Sequence, residues 1–210
     1  MKIYKLIITI TIPIFILMLF ASILTTKQYL LVSKGLYESH NDITFDHDLA
    51  ADKIMGYLNY RYDELQYDFE DGSPAFRQIE IDHMEDVKDL YTGLRLVALG
   101  SLIIGVSLSI FLYKKDKKEF YSTYKSMYLW PMFFVIFVGG YVLIDFGAAF
   151  TAFHGIFFRN DDWQLFTSDT LIQMLPINFW MVSGIIILLS FSGSMVGIYY
   201  WATKSLRKIR

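Results

Sequence analysis

The chain of 210 residues contains no cysteine. That single absence excludes a disulfide framework, a thiol nucleophile and a thiolate metal site. No GxSxG stretch occurs, so a serine nucleophile elbow has no support. No HExxH stretch occurs either, and the four histidines, His40, His47, His83 and His154, match no strong metal-ligand spacing. Internal repeats and low-complexity tracts are missing. Charged residues amount to 19%, whereas 54% of the chain is hydrophobic and 18% aromatic. A composition this apolar does not suit a soluble domain of this length and points to the membrane class.

Four apolar runs carry that excess, at 6–25, 94–113, 127–146 and 177–201. Each has about 20 residues or more, which at ~1.5 Å per residue spans a ~30 Å hydrocarbon core. The first run competes with a cleaved signal peptide. Its core exceeds the usual ~7–15 residues and no small-x-small site precedes Lys27, so a retained helix is expected. The expected fold class is a mainly α integral membrane protein. Its transmembrane helices fall at 1–26, 93–113, 127–146 and 177–202, with connections at 27–92, 114–126 and 147–176 and a tail at 203–210.

The net charge of −2 hides an asymmetry. The N-terminus, the 114–126 connection and the tail together hold 11 lysines and arginines against only Asp116 and Glu119, while residues 27–92 hold 15 acidic and 6 basic side chains. Short basic segments stay in the cytoplasm. Both termini are therefore expected inside, with a small extracellular subdomain after the first helix and an extracellular interfacial loop at 147–176.

Pro13 should kink the first helix modestly, which is tolerable where neighbours reseal the backbone. Beyond it, QYLLV suits a short strand or an interfacial run. Residues 48–66 predict an amphipathic helix, with Leu49, Ile54, Tyr57, Leu58, Arg61 and Leu65 on one face. DGSP at 71–74 is a turn and AFRQIEI alternates like a short strand. Asp82 and Glu85 then fit a capping box for a helix running into the second span. That would put His83 in a first turn, where the positive dipole end disfavours imidazolium, and Asp86 one turn on could orient the ring. The basic 114–126 stretch is expected to form a charged hairpin. The small residues Ser183, Gly184, Ser190, Gly193, Ser194 and Gly197 suggest close helix packing in the fourth span. Asp145, at the end of the third span, is costly at membrane depth unless paired, and Arg95 is a plausible mate.

His40 and His47, with Asp42, Asp46 and Asp48, could form a metal site but are more simply solvated loop residues. His83 and His154 are different: they lie 11 residues before Leu94 and 8 after Phe146. If helical, those distances are ~12–17 Å, so the two rings could meet at similar height. Arg159 is suited to a phosphate, carboxylate or developing oxyanion, or to an ion pair with a neighbouring aspartate such as Asp161 or Asp162. Trp163 and Trp180 read as members of an interfacial aromatic belt. Asp169 caps a short helix that ends before Pro176.

The stretches IEIDHMEDVKDL and FHGIFFRNDDWQLFTSDTLIQMLPINFW resemble those of the lipoprotein intramolecular transacylases, Lit. The four-span layout is similar as well. The resemblance implies a Gram-positive plasma-membrane enzyme with its active site on the extracellular face. It would act on diacylglyceryl-modified lipoproteins, moving the sn-2 acyl chain to the α-amine of the lipidated N-terminal cysteine. It implies His83 and His154 as catalytic residues, with Glu80, Asp86, Arg159, Asp162 and Asp169 in support; Asp145 and Arg95 are added from the residues alone. The implied partners are lipoproteins and membrane lipid, with no nucleic acid, metal or cofactor. Ester-to-amide transfer needs a base for the amine proton and donors for the oxyanion, but no nucleophilic enzyme side chain. The competing readings are a non-catalytic membrane sensor or assembly protein and a metal-dependent membrane hydrolase.

Overall fold

The computed structural model describes residues 3–33 and 45–209. Among the described residues the chain is helical and has no strand. In order come α1 (Ile3–Ile23), α2 (Lys27–Ser33), α3 (His47–Leu58), α4 (Gln78–Lys115) and α5 (Lys117–Ser126). They are followed by α6 (Leu129–Ile144), α7 (Phe146–Phe157), α8 (Thr170–Met174) and α9 (Ile177–Ile209). Four stretches are long and apolar enough to cross a membrane: Ile3–Ile23, Gln78–Lys115, Lys117–Ile144 and Ile177–Ile209. The chain forms two compact units, one of Met1–Ala21, Leu94–Ile144 and Ile185–Arg210, the other of Ser22–Gly93 and Asp145–Gly184.

The first unit holds the membrane-length helices. Phe133, Ile136 and Leu143 are 72%, 74% and 76% exposed, a surface that only lipid covers cheaply. A small core joins Ile8 and Ile12 to Leu112, Phe120 and Met127. α1 and α4 approach closely at Gly105, where a Cβ would stand 2.7 Å from Ile12 Cδ1. Close packing was expected from the small residues of α9. Ser183 meets it, being 1% exposed and bonded to the Tyr29 hydroxyl at 2.7 Å, whereas Gly184, Gly193 and Gly197 face open space and Ser194 donates to the carbonyl of Ser190. Pro13 lies inside α1 and deprives the carbonyl four residues back of its helical partner. That carbonyl, Thr9 O, accepts the indole N–H of Trp130 at 2.6 Å. The expected hairpin at 114–126 is helical across 117–126, started by Asp116, whose carboxylate accepts from Glu119 N at 3.0 Å.

The second unit has the larger core, in which Leu30, Ile54, Leu65, Phe76, Met84, Met174 and Phe179 pack together. Its local structure departs from expectation in three places, each for a local reason. Residues 28–32 lie in α2 rather than a strand. α3 stops at Leu58, short of the expected 66, because Asn59 turns its amide onto Met55 O and Thr25 O, both at 2.7 Å. Tyr60 then adopts φ 58°, and the chain folds back so that Tyr62 covers Gly56, where a Cβ would meet the ring at 2.4 Å. The 75–81 stretch is also not a strand. Gln66 grips Phe76 through both backbone groups, at 3.1 and 2.7 Å, and α4 begins at Gln78. Its cap lies one turn before the expected Asp82: Glu80 reaches back to Arg77 N at 2.8 Å, the N3 half of a capping box. The DGSP turn is present, with Gly72 at φ 77° and Asp71 accepting from Ser73 N at 2.9 Å.

Candidate active site

α7 carries the site's first side chain and shows an inverted amphipathicity. Phe153, Ile156 and Phe157 are 45%, 76% and 46% exposed, whereas His154 is only 6% exposed. In water the imidazole would face out and the rings in. The reversed arrangement is stable where the outer face meets an apolar phase.

His154 is fixed by its own helix. Its Nδ1 lies 2.8 Å from Phe150 O, a carbonyl that can only accept, so Nδ1 carries the proton and Nε2 keeps its lone pair. Trp163 stacks on the imidazole with centroids 4.6 Å apart and planes at 28°. Phe150 and Phe158 close around it at 4.2 and 5.5 Å.

The second histidine comes from α4. His83 sits 6.0 Å from His154, centroid to centroid, with planes at 34°, and Phe158 meets it edge-on at 5.3 Å. His83 lies in the second turn of α4, because the helix starts at Gln78, so the dipole acts on it less than expected. Burial does the work instead. It lowers the His83 pKa to about 4, with His154 adding to the effect and Asp86 opposing it. Burial also lowers the His154 pKa, opposed by the bond to Phe150 O. Both rings are therefore neutral at neutral pH. His83 Nδ1 is buried and makes no hydrogen bond.

The supporting residues divide into three groups. Asp86 accepts from Asn160 Nδ2 at 2.7 Å, joining the turn after α7 to α4 near His83. Glu80 and Asp169 act as ties. Glu80, 1% exposed, accepts from Leu171 N at 2.9 Å as well as from Arg77 N, and Asp169 takes Arg77 Nε at 2.7 Å and Phe166 N at 2.7 Å. Burial pushes the Glu80 carboxyl upward, against the pull of those backbone bonds. Arg159 is exposed and makes no ion pair among the described residues, while Asp162 donates its N–H to Asn160 Oδ1 at 3.3 Å. Outside the pair, Asp145 caps α7 through Ala148 N at 2.9 Å, and Arg95 lies in the membrane-length part of α4 within the other unit.

Sequence reasoning missed Arg77, Asn160 and the ring role of Trp163. Trp163 was assigned to the aromatic belt, and only the three-dimensional path of FRNDDW brings it over His154. Trp180, also assigned there, donates to Leu175 O at 3.1 Å and packs on the core. His47 is the first residue of α3, and Asp46 caps that helix through Asp48 N and Leu49 N. His40 and Asp42 lie outside the described residues. Among the described residues no group of three or more histidines and carboxylates is placed to hold a metal ion.

Comparison with known proteins gives a consistent picture. The family model of the lipoprotein intramolecular transacylase Lit matches residues 5–180. A curated relative, an uncharacterized protein of Aquifex aeolicus (strain VF5), is 29% identical over 109 residues, which is 52% of this chain and 48% of that protein. The match thus spans about half the length of that relative. The in meso structure of the membrane integral lipoprotein intramolecular transacylase Lit from Bacillus cereus superposes with a TM-score of 0.76 at 24% identity, covering 99% of this chain and 97% of that one. Variants of the same Bacillus cereus protein in which a histidine is replaced by alanine or by arginine give TM-scores of 0.74 and 0.72, at 23% and 22% identity. Each covers 100% of this chain and 94% of the variant's. These likenesses establish the fold.

Proposed function

The chain belongs to the lipoprotein intramolecular transacylase Lit family, and from that membership we propose that it transfers an acyl chain within a diacylglyceryl-modified lipoprotein. The α-amine of the N-terminal cysteine attacks the sn-2 ester carbonyl. A C–N bond forms, the C–O bond to glycerol breaks, and the amine proton leaves while the glyceryl oxygen gains one. The product is an N-acyl, S-monoacylglyceryl lipoprotein.

One observation carries this reading: two neutral imidazoles face each other across 6.0 Å inside a ring of aromatic side chains. His154, with Nδ1 bound to Phe150 O, offers Nε2 as the base for the amine. His83 orients or reprotonates the glyceryl oxygen. Trp163, stacked on His154, favours the imidazolium that forms when the proton arrives. Arg159 is available for the carbonyl or headgroup oxygen. Enclosure by Phe150 and Phe158 keeps bulk water from competing with the amine, and holding amine and ester together supplies much of the acceleration.

In this reading the termini and the basic 114–126 segment face the cytoplasm of a plasma membrane, and the site opens on the extracellular side. Lipoproteins and membrane lipid are the partners, and the residues carry the chemistry without a metal or cofactor. The test is expression in a strain whose lipoproteins are diacylglyceryl-modified, followed by mass spectrometry of the N-terminal peptide. The wild-type chain gives the N-acyl lyso form, and H83A and H154A each lower its yield by about 100-fold or more. Undiminished conversion by both variants would overturn the assignment.

A further inference from the structure

At the basic end of the first unit, α4 and α5 border an open groove of about 270 Å³ whose lining includes Val106, Ile110, Tyr113, Lys114, Phe120 and Tyr124. Its wall is mainly apolar, and Lys114 at the end of α4 is its one charged residue. The hydroxyls of Ser109 and Tyr124 do not offer themselves to a ligand, since they bond each other at 2.7 Å.

The charges around the groove are unevenly committed. Lys5 is paired with Glu119, and Asp116 caps α5, so both acids are occupied. Lys115 lies over the rings of Tyr4 and Phe111 at 5.8 and 5.3 Å, Lys117 over Tyr113 at 5.2 Å, and Lys125 over Tyr199 at 6.0 Å. Lys114 and Lys118 are exposed and have neither an ion pair nor a ring among the described residues. Lys114 lines the groove itself, whereas Lys118, two positions before the lining residue Phe120, is on another face of α5. An apolar groove on a membrane-length helix, ended by an uncommitted ammonium group, has the chemistry of one acyl chain and one anionic headgroup.

We propose that this groove is a binding site for an anionic phospholipid, with an acyl chain along Val106 and Ile110 and the phosphate on Lys114. The site lies in the other unit from the histidine pair and goes beyond the transacylase reading. A zwitterionic lipid fills the same groove without the net attraction, so headgroup charge is what the site selects.

Native mass spectrometry of the detergent-solubilised full chain, titrated with phosphatidylglycerol and with phosphatidylcholine of the same chains, tests this. Phosphatidylglycerol should bind at a lower concentration. K114Q should reduce that preference about fivefold, and K118Q, on another face of α5, should leave it unchanged. K204Q/K208Q, which removes two charges from the tail, should leave it unchanged. Equal binding of the two lipids, or equal loss in the tail variant, would overturn the site in favour of diffuse surface charge. Glycerol 3-phosphate, the headgroup without its chains, should not compete at millimolar concentration, and competition by it would overturn the lipid assignment.

Discussion

His83 and His154 lie with ring centroids 6.0 Å apart, yet they are held by opposite means. His154 is anchored through Nδ1 to Phe150 O at 2.8 Å, whereas His83 Nδ1 is buried without a partner. One ring is thus fixed in tautomer and direction and the other is positioned by packing alone. That asymmetry suits a division between a base with a committed lone pair and a partner whose Nδ1 is held by no hydrogen bond.

Burial of His83 should make folding stability depend on pH. Its folded pKa of about 4 lies below the 6.5 of the unfolded chain. Below pH 6.5 the unfolded state takes up a proton that the folded state refuses, so stability falls as pH drops from 6.5 towards 4 and is fully present above 6.5. The loss is on the order of 3 kcal/mol at the lower end. Thermal unfolding in detergent across this window, compared with H83N, should show the wild type losing more stability than the variant. Parallel curves would contradict the burial of this ring.

The stacked Trp163 should tune how readily His154 accepts a proton. W163L removes a ring face worth about 1–2 kcal/mol to an imidazolium in a desolvated site. The rate should fall roughly 5- to 30-fold, and the His154 titration should move about one pH unit lower. W163F, which keeps a ring, should recover most of both. Loss of rate with an unmoved titration would mark Trp163 as a packing residue instead.

The sequence was legible where one property dominates locally. Span length and apolar composition located the four membrane-length stretches, and the distances of His83 and His154 from neighbouring spans, together with the resemblance of their two stretches to Lit, singled out those histidines. Illegible parts depended on partners distant in the chain. α3 stops early because Asn59 finds Thr25 O and Tyr62 folds over Gly56. The 75–77 segment stays irregular because Gln66, ten residues before Phe76, satisfies its backbone. Arg77 escaped notice because its partner Asp169 lies 92 residues away. Alternation and capping patterns within a short window cannot register such bonds.

Glu80 should matter for stability through both of its oxygens. It takes Arg77 N at 2.8 Å and Leu171 N at 2.9 Å in a site that is 1% exposed. E80A leaves two N–H groups without an acceptor and should lose about 2–4 kcal/mol. E80Q keeps one acceptor oxygen and places an NH2 group against the other donor, so its loss should be smaller but real. Chemical unfolding of both variants ranks them, and a glutamine as harmful as alanine would show that charge rather than hydrogen bonding holds the tie.

Trp130 should stabilise the first unit only because Pro13 is present. The indole N–H occupies Thr9 O at 2.6 Å, the carbonyl that Pro13 deprives of a helical partner. In lipid an orphaned carbonyl has no water to turn to, so W130F in the native background should destabilise by about 1–2 kcal/mol. With P13A the helix supplies its own N–H to Thr9, and the same W130F change should lose only its packing contribution. A double-mutant cycle on thermal stability therefore expects a coupling of about 1 kcal/mol between residues 117 positions apart in the chain. Additive effects would show that the indole bond and the proline gap are independent features of the same helix.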